Sequence, residues 1–152
     1  MPLEVAILVG VPGSGKSTFY RARLAATHEH VSKDLMPNVR RRDQRQMALV
    51  EAALSAGRSV AVDNTNPARA DRAPLIAAGH ARGARVVAYF LTTPVRVALQ
   101  RNRAREGRER VPDVAVFAFA RRLQAPTTDE GLDEVYHVTA EGGEFKVQPA
   151  LL

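Results

Sequence analysis

Apolar runs and stretches of helical spacing alternate along the chain. Glu4 to Val9 is a continuous apolar run, which predicts a buried strand; it leads into "GVPGSGKST", Gly10 to Thr18, after which Ser17 to Ala26 carries helical spacing. A short strand is expected near Glu29 to Val31, then a loop through "SKDLMPN" and a helix from about Asp43 to Ala56, closed by Gly57. "RSVAVD" reads as a strand ending on Asp63, and "NTNP" opens a helix over about Pro67 to Arg82 that Gly83 terminates. "ARVVAYFL" is a further strand, apolar almost throughout, as strands covered on both faces are. "TTP" starts a helix running through about Arg103, helical spacing resumes over Asp113 to Leu123, and "EVYHV" is a strand with "EFKVQ" a weaker edge candidate.

Strands and helices alternating in this way predict an α/β fold, with a parallel β-sheet, helices on both faces and right-handed crossovers. No internal repeat, low-complexity tract or linker divides the 152 residues, so one domain spanning 1–152 is expected. No apolar stretch approaches the ~20 residues of a membrane span. "MPLEVAILVG" has no basic segment ahead of its apolar run, so it reads as a strand and not a signal peptide, and a cytoplasmic location is expected. The absence of cysteine excludes disulfides, thiolate metal sites and a thiol nucleophile. His28 and His30 form an i, i+2 pair with no third ligand nearby in the sequence, which is little for a metal.

Charge adds a second layer. The formal net charge is +6, and only Lys16, Lys33 and Lys146 among the basic residues are lysines. Arginine suits two-pronged phosphate recognition, and two clusters stand out: "RRRDQR", Arg40 to Arg45, and "RNRAREGRER", Arg101 to Arg110. A run of arginines is by itself more often a solvated face than a site.

The chemistry centres on the glycine loop. Gly10 and Gly15 bracket four residues before Lys16 and Ser17, the spacing G-x-x-x-x-G-K-[ST] between a strand and a helix. Glycines let successive N–H groups curl around phosphate oxygens, so Pro12, Gly13, Ser14 and Thr18 join the set around a nucleoside triphosphate. Lys16 places a charge between the β- and γ-phosphates, and the Ser17 hydroxyl is a ligand for Mg²⁺. Asp63, ending the strand expected beside the first, is placed to reach Mg²⁺ through water or to hold the Ser17 hydroxyl; capping the following turn is the other reading, and Asn64 and Asn66 serve that equally. No N-K-x-D guanine signature occurs, and a compact kinase using ATP is the economical reading.

"GVPGSGKSTF", "VSKDL", "VAVDNTNP" and the stretch from "RNRAREGRERVP" to "RRLQAPTTDEG" together resemble the 5′-hydroxyl polynucleotide kinases, the kinase domain of the phage and animal polynucleotide kinase–phosphatases. The likeness covers almost the whole chain and implies a P-loop NTPase fold with an arginine-rich lid over about 101–112. It implies that Asp34 takes the proton of a 5′-OH, with Lys33 before it where the family has arginine. A carboxylate on a loop in a basic neighbourhood fits that role; capping a turn is the alternative. It implies that Arg105, just before a hinge at Gly107, and secondly Arg101 close over the phosphates, with Arg108 and Arg110 in solvent. It places Gln124, Pro126 and Thr127 beside adenine, the alternative being a plain turn before the next strand. It puts Asn64, Thr65 and Arg45 near the acceptor. Two features depart from the family: Pro37 falls where the phage enzyme has an acceptor-binding arginine, and no Asp-x-Asp phosphatase signature occurs.

The resulting expectation is transfer of the γ-phosphate of ATP to the 5′-OH of DNA or RNA, with nucleic acid 5′ ends as partner. A kinase for a sugar acid or nucleoside is the first rival, and a nucleotide-dependent binding module the second. Aromatic residues make up 5% of the chain, so stacking on a single strand would rest on arginine planes or apolar side chains.

Overall fold

The computed structural model describes residues 2–36, 40–105, 111–141 and 143–150. Six strands form one sheet: β1 (Glu4–Val9), β2 (Glu29–Val31), β3 (Val60–Asp63), β4 (Arg85–Leu91), β5 (Glu134–Glu141) and β6 (Glu144–Pro149), in the order β2-β3-β1-β4-β5-β6. Every pair is parallel except β5–β6, which is antiparallel with Glu141 opposite Glu144. That pair departs from the expected parallel sheet for a simple reason. A two-residue connection between Glu141 and Glu144 allows a hairpin and no crossover, and Gly143 takes the positive φ (+81°) the turn requires.

Helices cover both faces, and β1 lies at the centre, with Val5 to Val9 fully buried. Val5, Ile7 and Val9 pack with Val60, Val62 and Val86 against α2 (Arg42–Ser55) and α3 (Arg69–Ala81), through Val50, Ala53, Leu54, Leu75 and Ile76. Gly79 lets α3 sit close, since a Cβ there would stand 2.5 Å from Val86 Cγ2. On the other face Ala6, Leu8, Ala61 and Val87 meet Phe19, Tyr20 and Leu24.

Those three residues lie on a helix that changes form. α1 (Lys16–Phe19) is α-helical, and Tyr20–Leu24 continues it as a π-helix in which Ala25 N–H donates to Tyr20 C=O at 2.9 Å. The expected uninterrupted helix over Ser17 to Ala26 is therefore replaced by a wider turn, a form that clusters at functional sites. α4 (Val95–Arg103) and α5 (Asp113–Arg122) form a smaller apolar group in which Ala98 and Val116 bury Val11 of the glycine loop.

Candidate active site

Gly13 (φ +84°) and Gly15 (φ +101°) adopt backbone angles that side chains disfavour, which is how the loop after β1 curls. A Cβ on Gly13 would stand 2.3 Å from Ala98 C=O, so α4 is packed directly onto the loop. A Cβ on Gly10 would stand 2.5 Å from Ser14 Oγ. That hydroxyl is buried with no hydrogen-bond partner among the described residues, in a loop whose expected ligand is rich in oxygens. Lys16 Nζ bends back and donates to Gly10 C=O at 2.9 Å and Val11 C=O at 3.1 Å. Burial lowers the lysine pKa to about 8; Asp63 and Asp34 oppose the shift and the Arg105 guanidinium adds to it. The Lys16 ammonium thus feels both carboxylates and the Arg105 charge, so four residues far apart in sequence share one electrostatic site.

Ser17 and Asp63 form its second part. The Ser17 hydroxyl donates to Asp63 Oδ2 at 2.7 Å, and His30 Nε2 lies 2.8 Å from the same oxygen. Burial on its own would raise the Asp63 pKa, but the hydrogen bonds from His30 and Ser17 and the Lys16 charge outweigh it and hold the group below the usual carboxylate range. His30 lies flat on the Tyr20 ring, with centroids 4.0 Å apart and planes at 14°. A serine hydroxyl whose proton is taken by an ionised carboxylate is an oxygen donor set suited to Mg²⁺, and Ser17 and Asp63 would hold that ion.

Asp34 sits on a single 3₁₀ turn, Lys33–Leu35, directly after β2. Its N–H donates to Ser32 Oγ at 3.2 Å, while Lys33 N–H donates to Asn64 Oδ1 at 2.9 Å and Asn64 Nδ2 donates to Gln46 Oε1 on α2. The Asp34 carboxylate is exposed and borders a cleft of about 510 Å³ with Lys16, Ser17, Asp63, Asn64, Thr65 and Arg105. Arg42, Asp43, Gln46 and Met47 recur with helical period along α2 and line the same cleft, whereas Arg45 is exposed and does not line it. Arg42 lines it instead, with Arg122 from α5. Lys33 pairs with Asp43, and Arg122 pairs with Asp71 at 3.3 Å.

The "DNTNP" loop is woven into this frame. Gly10 N–H donates to Thr65 C=O at 3.1 Å, and Asn66, at φ +44°, donates through Nδ2 to Leu8 C=O at 2.8 Å. Behind it lies Arg72, fully buried, forked onto Glu130 at 2.7 and 3.0 Å and donating to Asn66, Pro67 and Gln124 C=O at 2.9, 3.2 and 3.0 Å. Gln124 belongs to this bracket as well. Its side chain accepts from Arg69 N–H at 3.0 Å, and its own N–H donates to Pro67 C=O at 2.7 Å. Gln124, Pro126 and Thr127 line neither cavity beside the glycine loop. The second cavity, bordered by Gly13, Gly15 and Thr18, is walled instead by Arg101, Arg105, Ala140, Glu144 and Phe145. The structure thus places Gln124 of the "QAPT" segment, expected beside adenine, in the bracket around Arg72 and outside both cavities.

Arg101, in the last turn of α4, and Arg105, two residues beyond its end, both face the glycine loop: Arg101 Nη1 donates to Ser14 C=O at 3.4 Å and Arg105 borders both cavities. Arg103 turns away, paired with Asp113 at 2.7 Å. Buried Asn102 closes the base of the segment, with its Nδ2 donating to Val111 C=O at 2.6 Å and its Oδ1 accepting from Val111 N–H at 3.0 Å. Gly107, where a hinge is expected, lies outside the described residues with Arg108 and Arg110, as does Pro37. Arg72, Glu130, Asn102 and Arg122 were not singled out in the sequence, and His30 and Arg42 entered it only as one of a histidine pair and as part of an arginine cluster. Only Glu130 carries a local signal, the T-x-x-E spacing by which its Oε2 accepts from Thr127 N–H at 3.0 Å.

The chain matches the AAA domain family over residues 5–126 and belongs to it. It is 30% identical over 139 residues to the bifunctional polynucleotide phosphatase/kinase of Schizosaccharomyces pombe, a match covering 89% of this chain and 33% of that protein. The chain thus spans a third of that relative's length. Among solved structures it aligns with a chain of an RNA repair complex at a TM-score of 0.68 and 23% identity, covering 99% of this chain and 49% of the other. It aligns with a gluconokinase from Sinorhizobium meliloti at a TM-score of 0.64 and 22% identity, covering 91% and 82%. The resemblance to polynucleotide kinases agrees with the first of these, and the fold is that of the P-loop kinases.

Proposed function

We propose that this member of the AAA domain family is an ATP-dependent kinase that moves the γ-phosphoryl group to the 5′-hydroxyl of a polynucleotide. The observation that carries the reading is the shared site of Lys16, Asp34, Asp63 and Arg105 at the meeting of the glycine loop and the cleft. The relative named a polynucleotide phosphatase/kinase supports the choice of acceptor.

In this reading the loop N–H groups and Lys16 hold the β- and γ-phosphates, the Lys16 ammonium exchanging its bonds to Gly10 and Val11 for phosphate oxygens. Bound Mg²⁺, held by Ser17 and Asp63, would neutralise phosphate charge. Asp34 accepts the proton of the acceptor hydroxyl as its oxygen bonds to the γ-phosphorus and the bond to the β-phosphate oxygen breaks, leaving ADP. Arg105 and Arg101 meet the charge on the migrating group. Arg42 and Arg122 take the phosphates that follow the acceptor's first nucleotide.

A small acid acceptor is the second reading, because Lys33 and Arg122 are both paired with carboxylates and the cleft is of mixed sign. The test offers labelled ATP in parallel to 5′-OH oligonucleotides, nucleosides and sugar acids. Label on the oligonucleotide, with a KM that rises with salt at a log–log slope of about 0.7 per phosphate contacted, is expected. Label on a sugar acid instead, or a salt-independent acceptor KM, moves the assignment to the small-acceptor kinases.

A further inference from the structure

His30 was set aside in the sequence for want of a third metal ligand, and its surroundings give it different work. It lies on β2 opposite Ala61 of β3, two residues short of Asp63 on the same side of the sheet, so its ring reaches diagonally to the carboxylate. Three contacts fix it there. Tyr20 stacks on one face, the Tyr20 hydroxyl is itself anchored to His28 C=O at 2.7 Å, and Nε2 meets Asp63 Oδ2 at 2.8 Å. The π-helical turn beginning at Tyr20 follows directly on α1, the helix that carries Ser17.

The Asp63 side chain is 2% exposed, and both described hydrogen bonds to its carboxylate fall on Oδ2. An ionised carboxylate is only an acceptor, so His30 Nε2 must carry the proton. With Oδ2 held by two donors the carboxylate is stopped from turning, and the Ser17 proton has one place to go. The lone pairs of Ser17 are then left toward the cleft. Without His30, Oδ2 loses one of its two described donors and the carboxylate is free to rotate away from Ser17.

We propose that His30, clamped on Tyr20, is a positioning residue: it locks Asp63 Oδ2 onto the Ser17 hydroxyl and so sets the serine oxygen for a divalent cation bound with the nucleotide. The proposal rests on reading this site as a nucleotide and magnesium site, and it makes no use of the acceptor.

Two substitutions separate hydrogen bond from stacking. His30→Phe keeps the ring on Tyr20 and removes the donor, whereas His30→Gln keeps a donor near the Nε2 position and loses the ring. ADP affinity is measured by calorimetry with Mg²⁺ and again with EDTA. The enhancement of ADP affinity by Mg²⁺ should fall by about 10-fold in His30→Phe and stay within about threefold of wild type in His30→Gln, while affinity in EDTA is the same in all three. Undiminished enhancement in His30→Phe, or equal losses in both variants, overturns the proposal. ¹⁵N NMR of the wild-type imidazole decides it should His30→Phe not fold: a neutral Nε2–H tautomer supports the lock, and an Nδ1–H tautomer overturns it. Wild-type protein that binds no ADP under either condition overturns the kinase reading along with it; the other outcomes bear on His30 alone.

Discussion

The side of this site proposed to take the triphosphate and the side proposed to take the acceptor are built by different means. The triphosphate side is backbone: glycines at positive φ, a lysine satisfied by loop carbonyls, and a serine and aspartate already bonded to each other. The acceptor side is made of side chains from α2, the "DNTNP" loop and α5, where Lys33 and Arg122 are engaged by Asp43 and Asp71. A backbone cradle needs one contiguous motif and is ready before its ligand arrives. A side-chain cleft is assembled from distant segments and must exchange internal ion pairs for ligand contacts.

The sharpest way to break this division is on the triphosphate side. Lys16→Ala should abolish transfer and weaken ADP binding together, as checked by calorimetry and transfer rate; an active variant would mean that the loop is not the phosphate site. Arg105→Ala should lower kcat by about 10³-fold, as loss of an arginine finger does, with a smaller effect from Arg101→Ala. Arg103→Ala should leave kcat unchanged, since Arg103 is spoken for by Asp113. Equal effects from all three would reduce the segment to a generic basic surface.

The bracket behind the two halves should respond in stability. Arg72→Met leaves buried Glu130 without its fork and frees the three carbonyls that Arg72 now binds, a loss of about 3–5 kcal/mol by urea unfolding. Acceptor-side changes should be milder. Arg42→Ala and Arg122→Ala should raise the oligonucleotide KM several-fold and each flatten its salt slope by about 0.7, with Arg45→Ala silent because Arg45 does not line the cleft.

The smallest effect is a fraction of a proton. Lys16, lowered to about 8 from 10.5, is partly neutral in the free protein near pH 8, and bound phosphates should restore its charge. ADP binding near pH 8 should therefore take up protons, visible as a calorimetric enthalpy that varies with buffer ionisation enthalpy. For stability the sign is the reverse of a salt-bridged lysine. Below pH 8 folding bears the full cost of burying the charge, and as pH rises from about 8 to 10.5 the folded state sheds the proton first, so the ligand-free protein gains stability.

The same contrast explains what the sequence disclosed. The glycine loop, Asp63 after its strand and the strand–helix alternation are local patterns, and each lies where its residues predict. Asp34 borders the cleft because the 3₁₀ turn follows β2 directly. Arg42 and not Arg45 lines the cleft, and a cluster of arginines on one helix does not state in the sequence which of them faces inward. Arg72 and Glu130, 58 positions apart, carry no shared signal and meet only when α3 and the segment before β5 pack. The resemblance sets the "QAPT" residues beside adenine; in the fold Gln124 braces α3, and the loop's second cavity is walled by the β5–β6 hairpin, whose strand β6 is the faintest of the expected elements.

Asp34 tests the division most directly, because it lies where the two halves meet and is assigned to chemistry alone. The measurement is Asp34→Asn, with ADP affinity by calorimetry in Mg²⁺ and kcat on a 5′-OH oligonucleotide in the same preparation. ADP affinity at the wild-type value with kcat lowered by roughly 10²–10⁴-fold is the predicted result. Near-normal turnover, or a loss of rate matched by a loss of ADP affinity, would contradict the assignment of Asp34 as the base.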